Sequence, residues 1–187
     1  MKKTSTYRVS TYKICIVAFA ICINLAGGQL ALLLKLPIYL DSIGTVFIAS
    51  TLGPVYGMLP NMISGLFMGM TVDVYSLYYA PVGIILGLVT GLVYRKYKPK
   101  KWWIFVAALV ITLPSTIVSS CITAFLFGGI TSSGSTVLVQ LLSKTPIGMV
   151  GACFVVQFFT DYIDRVICLF VVSTLTKALP KNMMERL

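Results

Sequence analysis

The sequence has no histidine and only five acidic residues, of which Glu185 is the single glutamate. Acid–base catalysis or metal binding would therefore depend on four aspartates, because both need ionisable or ligating side chains. The chain also lacks a nucleophile motif, a phosphate-binding loop and any metal-ligand spacing. We therefore expect a protein that is not an enzyme and that has neither a metal nor a cofactor.

The cysteines lack the spacing of a metal site. None forms a Cys-x-x-Cys pair, and no histidine is present to complete a ligand set. Because they lie in apolar stretches, we interpret them as small buried residues. The five positions are Cys15, Cys22, Cys121, Cys153 and Cys168.

Charge is scarce, and its scarcity excludes an ordinary soluble domain. Only 11% of the residues are charged, 58% are hydrophobic and the mean hydropathy is +0.94. Soluble domains have about 25% charged residues. The chain is therefore predicted to be an integral membrane protein, with no length left for a soluble catalytic domain.

Six apolar segments predict an all-α integral membrane protein with six transmembrane helices in one bundle, a single domain over residues 1–187. An alternative for the first segment is a cleaved signal peptide, because a basic stretch precedes it. We favour a retained helix, since the apolar run continues past Gly28. The predicted spans are residues 14–34, 37–52, 55–72, 75–94, 102–127 and 146–178.

Basic residues alternate between the two ends of the predicted bundle. Twelve lie before the first span, between spans four and five, or at and beyond the end of the last span, whereas Lys35 and Lys144 lie in the opposite loops. An excess of Lys and Arg marks cytoplasmic loops, so we predict that both termini are cytoplasmic. This distribution accounts for the net charge of +10 without a nucleic-acid partner.

Two further features indicate contacts. Ala18, Cys22 and Ala26 recur four residues apart on the first span, either for packing inside the bundle or for docking a partner helix. The Gly- and Ser-rich residues 128–145 form an outer loop that we interpret as a candidate lid. Tyrosines and hydroxyl residues near the outer ends of the spans predict a pocket for a small, flat molecule, although an interfacial belt would use the same residues.

Two stretches, PIYLDSIGTVFIASTLGPVYGMLPNMISG and FFTDYIDRVICLFVVSTLTKALPK, resemble the substrate-binding S components of energy-coupling factor (ECF) importers. The resemblance covers nearly the whole chain. It implies a multi-pass protein of the bacterial cytoplasmic membrane that captures a vitamin-like compound outside the cell. It also implies three partner proteins, namely a membrane scaffold subunit and two cytoplasmic ATPases, which we call the energising module.

The resemblance also assigns roles to residues. The substrate would be bound by the outer loop after span one and by the outer parts of spans four to six. The family's Ala-x-x-x-Ala docking motif would correspond to Ala18, Cys22 and Ala26, with cysteine at the centre in this chain. The substrate-binding residues carried over are Tyr39, Tyr75, Tyr78, Tyr79, Ser119, Ser120 and Gln157.

The substrate itself is not encoded in a motif. Because only Lys35 and Lys144 are available on the outer side, a strongly anionic ligand is disfavoured. We expect a neutral or weakly charged heteroaromatic compound, such as a pyridoxine-like or pyrimidine vitamin, a flavin, or a nucleoside or base.

Three charged residues interrupt the last apolar run. Asp161 and Arg165 lie four residues apart on one helix face, and Asp164 lies beside Arg165. A lone charge at the bilayer centre costs ~2.5–3.5 kcal/mol, so we expect these side chains to form a structural ion cluster below the pocket. The alternative is a stand-alone secondary transporter or channel that uses the same three residues as an ion relay.

Overall fold

The computed structural model describes residues 10–178, and within this range it contains helices and no strands. The predicted all-α class is therefore confirmed for this part of the chain, whereas the predicted location of the two termini concerns residues outside it. Eight α-helices follow one another, and a π-helical turn, Ile122–Leu126, extends the sixth. The helices are α1 (Thr11–Leu33), α2 (Ile43–Leu52), α3 (Pro54–Thr71), α4 (Tyr75–Tyr78), α5 (Ala80–Lys96), α6 (Trp103–Cys121), α7 (Thr136–Leu142) and α8 (Gly148–Ala178).

The second helix begins later than the sequence predicted. Pro37 suggested a helix start, but α2 begins at Ile43. Lys35 and Leu40 have φ values of 49° and 51°, a left-handed backbone that does not continue an α-helix. Residues 34–42 therefore form a loop, and this loop carries Tyr39.

The fourth predicted span is divided in two. Helix α4 is a single turn of four residues, and α5 begins at Ala80 after a break at Tyr79. Pro81 lies in the first turn of α5, where its missing N–H is tolerated. The same proline could not sit inside a continuous helix without removing a hydrogen bond and colliding with the carbonyl one turn earlier.

Glycines let α3 and α5 pack closely. A Cβ atom at Gly87 would overlap the carbonyl of Gly57, and one at Gly91 would overlap Pro54. A Cβ atom at Gly83 would meet the side chain of Asn61. These three glycines of α5, spaced four residues apart, therefore pack inside the bundle, as small residues do between closely spaced helices.

Helix α6 has a polar inner face and an apolar outer face. Thr112, Ser115 and Thr116 are fully buried, whereas Val110 and Ile117 are 47% and 51% exposed. Two helical segments, Thr11–Leu33 and Trp103–Leu126, are long and apolar enough to cross a membrane, each with a mean hydropathy of 2.1. Helix α2 has 10 residues and is about 15 Å long at the α-helical rise, half of a ~30 Å hydrocarbon core.

The predicted outer loop 128–145 has a folded centre. It contains α7, whose Val139 is 2% exposed and packs against Cys153 and Val156 of α8. Before α7, the hydroxyls of Ser133 and Ser135 are 2.9 Å apart and buried. The segment is therefore attached to α8 on one side and reaches the cavity described below on the other.

Candidate functional site

A cavity of about 100 Å³ lies between α1, α3, α5, α6 and α8. The loop 34–42 and the segment that precedes α7 complete its wall, through Tyr39 and Ser132. Five of the seven predicted substrate-binding residues line it. These are Tyr39, Tyr75, Tyr79, Ser119 and Gln157.

The other two predicted residues, Tyr78 and Ser120, do not line the cavity. Tyr78 is 45% exposed, and its ring packs edge-on against Phe127 at a centroid distance of 5.3 Å. Ser120 donates its hydroxyl to the carbonyl of Ile117 at 3.0 Å. Neighbouring helix positions differ by about 100° in direction, so Ser119 and Ser120 cannot face the same cavity.

A hydrogen-bonded chain crosses one wall of the cavity at the π-helical turn. Thr123 donates to the carbonyl of Ser119 at 2.9 Å, and its oxygen accepts hydrogen bonds from the Gln157 amide and the Tyr79 hydroxyl. The amide oxygen of Gln157 accepts from the Ser119 hydroxyl at 3.1 Å. π-Helical turns occur frequently at functional sites, and this one places Thr123, which is 2% exposed, between three predicted residues.

The charged residues of α8 form the floor of the cavity. Arg165 Nη1 donates to Asp164 Oδ2 at 2.6 Å, so its ion pair is with the neighbouring aspartate and not with Asp161. Asp161 Oδ2 accepts from Thr116 at 2.8 Å. Asp161 and Arg165 both line the cavity, which therefore reaches the ion cluster that the sequence placed below the pocket.

Asp164 also holds the loop 34–42 in place. Its Oδ1 accepts the backbone N–H of Leu40 at 3.1 Å. The preceding residue, Tyr39, lines the cavity, and burial raises the pKa of its phenol above the usual range. Tyr39 therefore stays neutral at physiological pH and can donate or accept a hydrogen bond.

Two aspartates that flank helices also line the cavity. Asp41 Oδ1 accepts the hydroxyl of Ser42 at 2.9 Å, immediately before α2. Asp73, immediately after α3, accepts hydroxyls from Ser76 at 3.0 Å and Ser132 at 2.9 Å through its Oδ2. The hydrogen bond to Ser132 connects the predicted lid segment to the C-terminal end of α3.

Asn24 and Asn61 also line the cavity, and neither was predicted from the sequence as a binding residue. Asn24 is 1% exposed and interrupts an otherwise apolar helix, which is the signal that could have identified it. Thr123 carries no comparable signal, because its role depends on the local π-helical turn.

The small residues of α1 face away from the bundle. Ala18, Cys22 and Ala26 are exposed, whereas the buried face of α1 carries Ala20 and Asn24. The sequence allowed two interpretations of this stripe. One of them, packing against other helices of the chain, is therefore excluded within residues 10–178. The expectation that all cysteines are buried is wrong for three of them, which are Cys15, Cys22 and Cys121.

Residues 10–178 form an all-helical protein fold with an apolar exterior and a polar internal cavity. Among residues 10–178, no group of three or more His, Cys, Asp or Glu side chains is arranged to hold a metal ion. The chain matches no protein-family model, no curated protein and no solved structure.

Proposed function

We propose that the protein is the substrate-binding S component of an ECF-type importer. In this proposal, six segments cross the cytoplasmic membrane, and the cavity captures a small heteroaromatic micronutrient from outside the cell. The energising module, a membrane scaffold subunit with two ATPases, then drives uptake. The protein itself binds and releases the compound without changing it.

The cavity is the observation that carries this proposal. It combines aromatic side chains with a few convergent polar groups, the combination that small-molecule sites require. Tyr39 and Gln157 come from segments more than a hundred positions apart, yet both line it. Its described lining includes hydroxyls, amides and carboxylates, which can form hydrogen bonds with a polar ligand.

The distribution of polarity supports a membrane location. Large apolar side chains such as Phe19, Met70 and Phe125 are 64%, 80% and 76% exposed. In water, an apolar surface of this kind would cause aggregation, whereas it is compatible with contact to lipid tails. Trp102 and Trp103 are exposed next to the basic residues 95–101, which is the arrangement expected at a membrane interface.

The exposed stripe on α1 supports a partner within the membrane. Exposed small residues spaced four apart allow the backbone of another helix to approach closely. The stripe of Ala18, Cys22 and Ala26 lies on the face of α1 opposite the one that packs on α2 and α3. We assign this face to the scaffold subunit of the energising module.

Mass spectrometry of compounds released from the purified, full-length protein tests the binding role. We expect one small heteroaromatic compound that is retained through purification in mild detergent and released on denaturation. Protein that retains no such compound, and that shows no thermal stabilisation by any member of a vitamin and nucleobase panel, would contradict the proposal.

Reconstitution in liposomes tests the importer role. We expect uptake of the released compound only when the energising module and ATP are present. Accumulation driven by a proton or sodium gradient with the protein alone would instead support a stand-alone secondary transporter, in which Asp161, Asp164 and Arg165 conduct ions.

A further inference from the structure

Carboxylates outnumber cationic groups around the cavity. Asp41, Asp73 and Asp161 line it, and Arg165 is the single Lys or Arg side chain among its described lining residues. Arg165 is already paired with Asp164 at 2.6 Å, so the three lining carboxylates lack a cation of their own. Buried or half-buried negative charge of this kind is costly unless a positive group neutralises it.

Asp161 and Asp73 each have an oxygen atom that can accept a hydrogen bond from a ligand. Thr116 donates to Asp161 Oδ2, and Ser132 donates to Asp73 Oδ2. The Oδ1 atoms of Asp161 and Asp73 accept no hydrogen bond from the residues that the structure describes. A ligand with N–H groups can therefore bind both carboxylates without displacing a bond that the fold already makes.

An independent feature of the same cavity is a donor without a partner. Arg165 is 6% exposed and lines the cavity, and its Nη2 amino group makes no hydrogen bond with the residues that the structure describes. A buried guanidinium N–H of this kind is costly unless an acceptor reaches it. The cavity thus requires a ligand that has an acceptor atom as well as a positive charge.

Tyrosine rings and the cavity's size restrict the ligand further. Tyr39, Tyr75 and Tyr79 line the cavity, and aromatic faces attract organic cations. Its volume of about 100 Å³ favours a small ligand, such as one aromatic ring with a short substituent, over a flavin or a nucleoside.

We propose that the cavity binds an organic cation, a one-ring heteroaromatic compound with a protonated amino group and a ring-nitrogen acceptor. The ammonium group binds Asp161 and Asp73, and the acceptor faces Nη2 of Arg165. This inference rests on the proposed function, because it names the ligand class of the same site. It narrows the neutral or weakly charged compound expected from the sequence to a cationic one.

Three probes that differ in one substituent test the charge preference. They are 3-(aminomethyl)pyridine, 3-pyridylmethanol and nicotinate, which are cationic, neutral and anionic at pH 7. Isothermal titration of the full-length protein in nanodiscs of neutral lipid measures their affinities. We expect the cation to bind at least about tenfold more tightly than the alcohol, and nicotinate to show no binding, since opposite charges attract strongly in a low-dielectric site.

Two isosteric variants locate the charge. Asp161→Asn and Asp73→Asn each keep the shape of the side chain and an acceptor for the neighbouring hydroxyl. We expect each to lower the affinity for 3-(aminomethyl)pyridine about tenfold and to leave 3-pyridylmethanol unchanged. Asp73 is half-buried at the end of α3, so this variant serves if Asp161→Asn fails to fold.

Three results would overturn the inference: equal affinity for the cation and the alcohol, no binding of the cation, or unchanged cation affinity in both variants. These results are separate from the fate of the proposed function. ATP-dependent import of a neutral compound would support the importer proposal and contradict the cationic ligand. Tight binding of the cation without coupling to the energising module would support the cationic ligand and contradict the importer proposal.

Discussion

Asn24 joins α1 to the start of α2 through one side-chain amide. Its Oδ1 accepts the N–H of Gly44 at 2.8 Å, and its Nδ2 donates to Thr45 at 2.9 Å. The N-cap residue, Ser42, makes no side-chain capping bond, so Asn24 satisfies a free N–H at the start of α2 from another helix. Polar residues inside apolar bundles act in this way as connections between helices.

Replacing Asn24 by alanine should therefore destabilise the protein. Two buried partners, Gly44 and Thr45, lose their hydrogen bonds, at a cost of about 1–3 kcal/mol. We expect a lower thermal midpoint in detergent, followed by circular dichroism. Gln29→Ala is the matched control, because Gln29 is exposed on the same helix and should change the stability by less than about 0.5 kcal/mol. Equal midpoints for the two variants would refute the role of Asn24.

Gln157 connects two hydroxyl residues in the cavity wall. Gln157→Ala removes the hydrogen bonds to Thr123 and Ser119 and one polar group of the lining. We expect the affinity for the co-purifying compound to fall about tenfold, the equivalent of one hydrogen bond of ~1.4 kcal/mol. Gln29→Ala should leave the affinity unchanged in the same titration, and an equal loss in both variants would argue against this site.

At the scale of helices, the close contact of α3 and α5 depends on glycine. Gly87 faces the backbone of Gly57, which cannot move away as a flexible side chain could. Gly65, also in α3, has only the Ser76 carbonyl oxygen near its missing Cβ, at 3.4 Å. The two glycines therefore differ in the space around them, although both are helical.

This difference predicts opposite results for the same substitution. Gly87→Ala should force α3 and α5 apart and lower the free energy of unfolding by about 1–3 kcal/mol, the usual cost of overpacking. Gly65→Ala should be neutral or stabilising by up to about 1 kcal/mol, because alanine favours the helix. Thermal unfolding of both variants checks the prediction, and a tolerated Gly87→Ala would show that α3 and α5 separate easily.

The exposed stripe of α1 makes a second prediction about an element. Cys22→Leu should reduce co-purification with the energising module at least severalfold, because a larger side chain prevents close approach of a partner helix. Ligand affinity should not change, since Cys22 is exposed and does not line the cavity. Cys121→Leu, at an exposed cysteine of α6, is the control. If both substitutions weaken the complex equally, the docking face lies elsewhere.

At the scale of the whole molecule, the charge distribution predicts an orientation. A single cysteine at Lys98, in a variant without the five native cysteines, should react with a membrane-impermeant maleimide only in opened cells. A cysteine at Lys144 should react in intact cells. Labelling of Lys98→Cys from outside would invert the proposed topology and with it the direction of capture.

The sequence was sufficient to locate four of the helices and most of the predicted cavity residues, but not the loops and helix rotations that complete the cavity. Long apolar runs predicted where α1, α3, α6 and α8 lie, because burial and helix propensity act locally. The sequence did not reveal the left-handed backbone conformation of Lys35 and Leu40, because neither residue is a glycine. Nor could it separate Ser119 from Ser120, because the choice depends on the rotation of α6 within the bundle.

The bond between the Leu40 N–H and Asp164 has a consequence for biosynthesis. The two residues are 124 positions apart, so the loop 34–42 cannot be fixed until α8 has been made. During translation, α1, α2 and α3 can associate early through Asn24 and their small residues. Tyr39 and Asp41 reach their final positions only when α8 is present. The cavity is therefore completed only after α8 has been synthesised, and a chain truncated before α8 would form helices without a complete cavity.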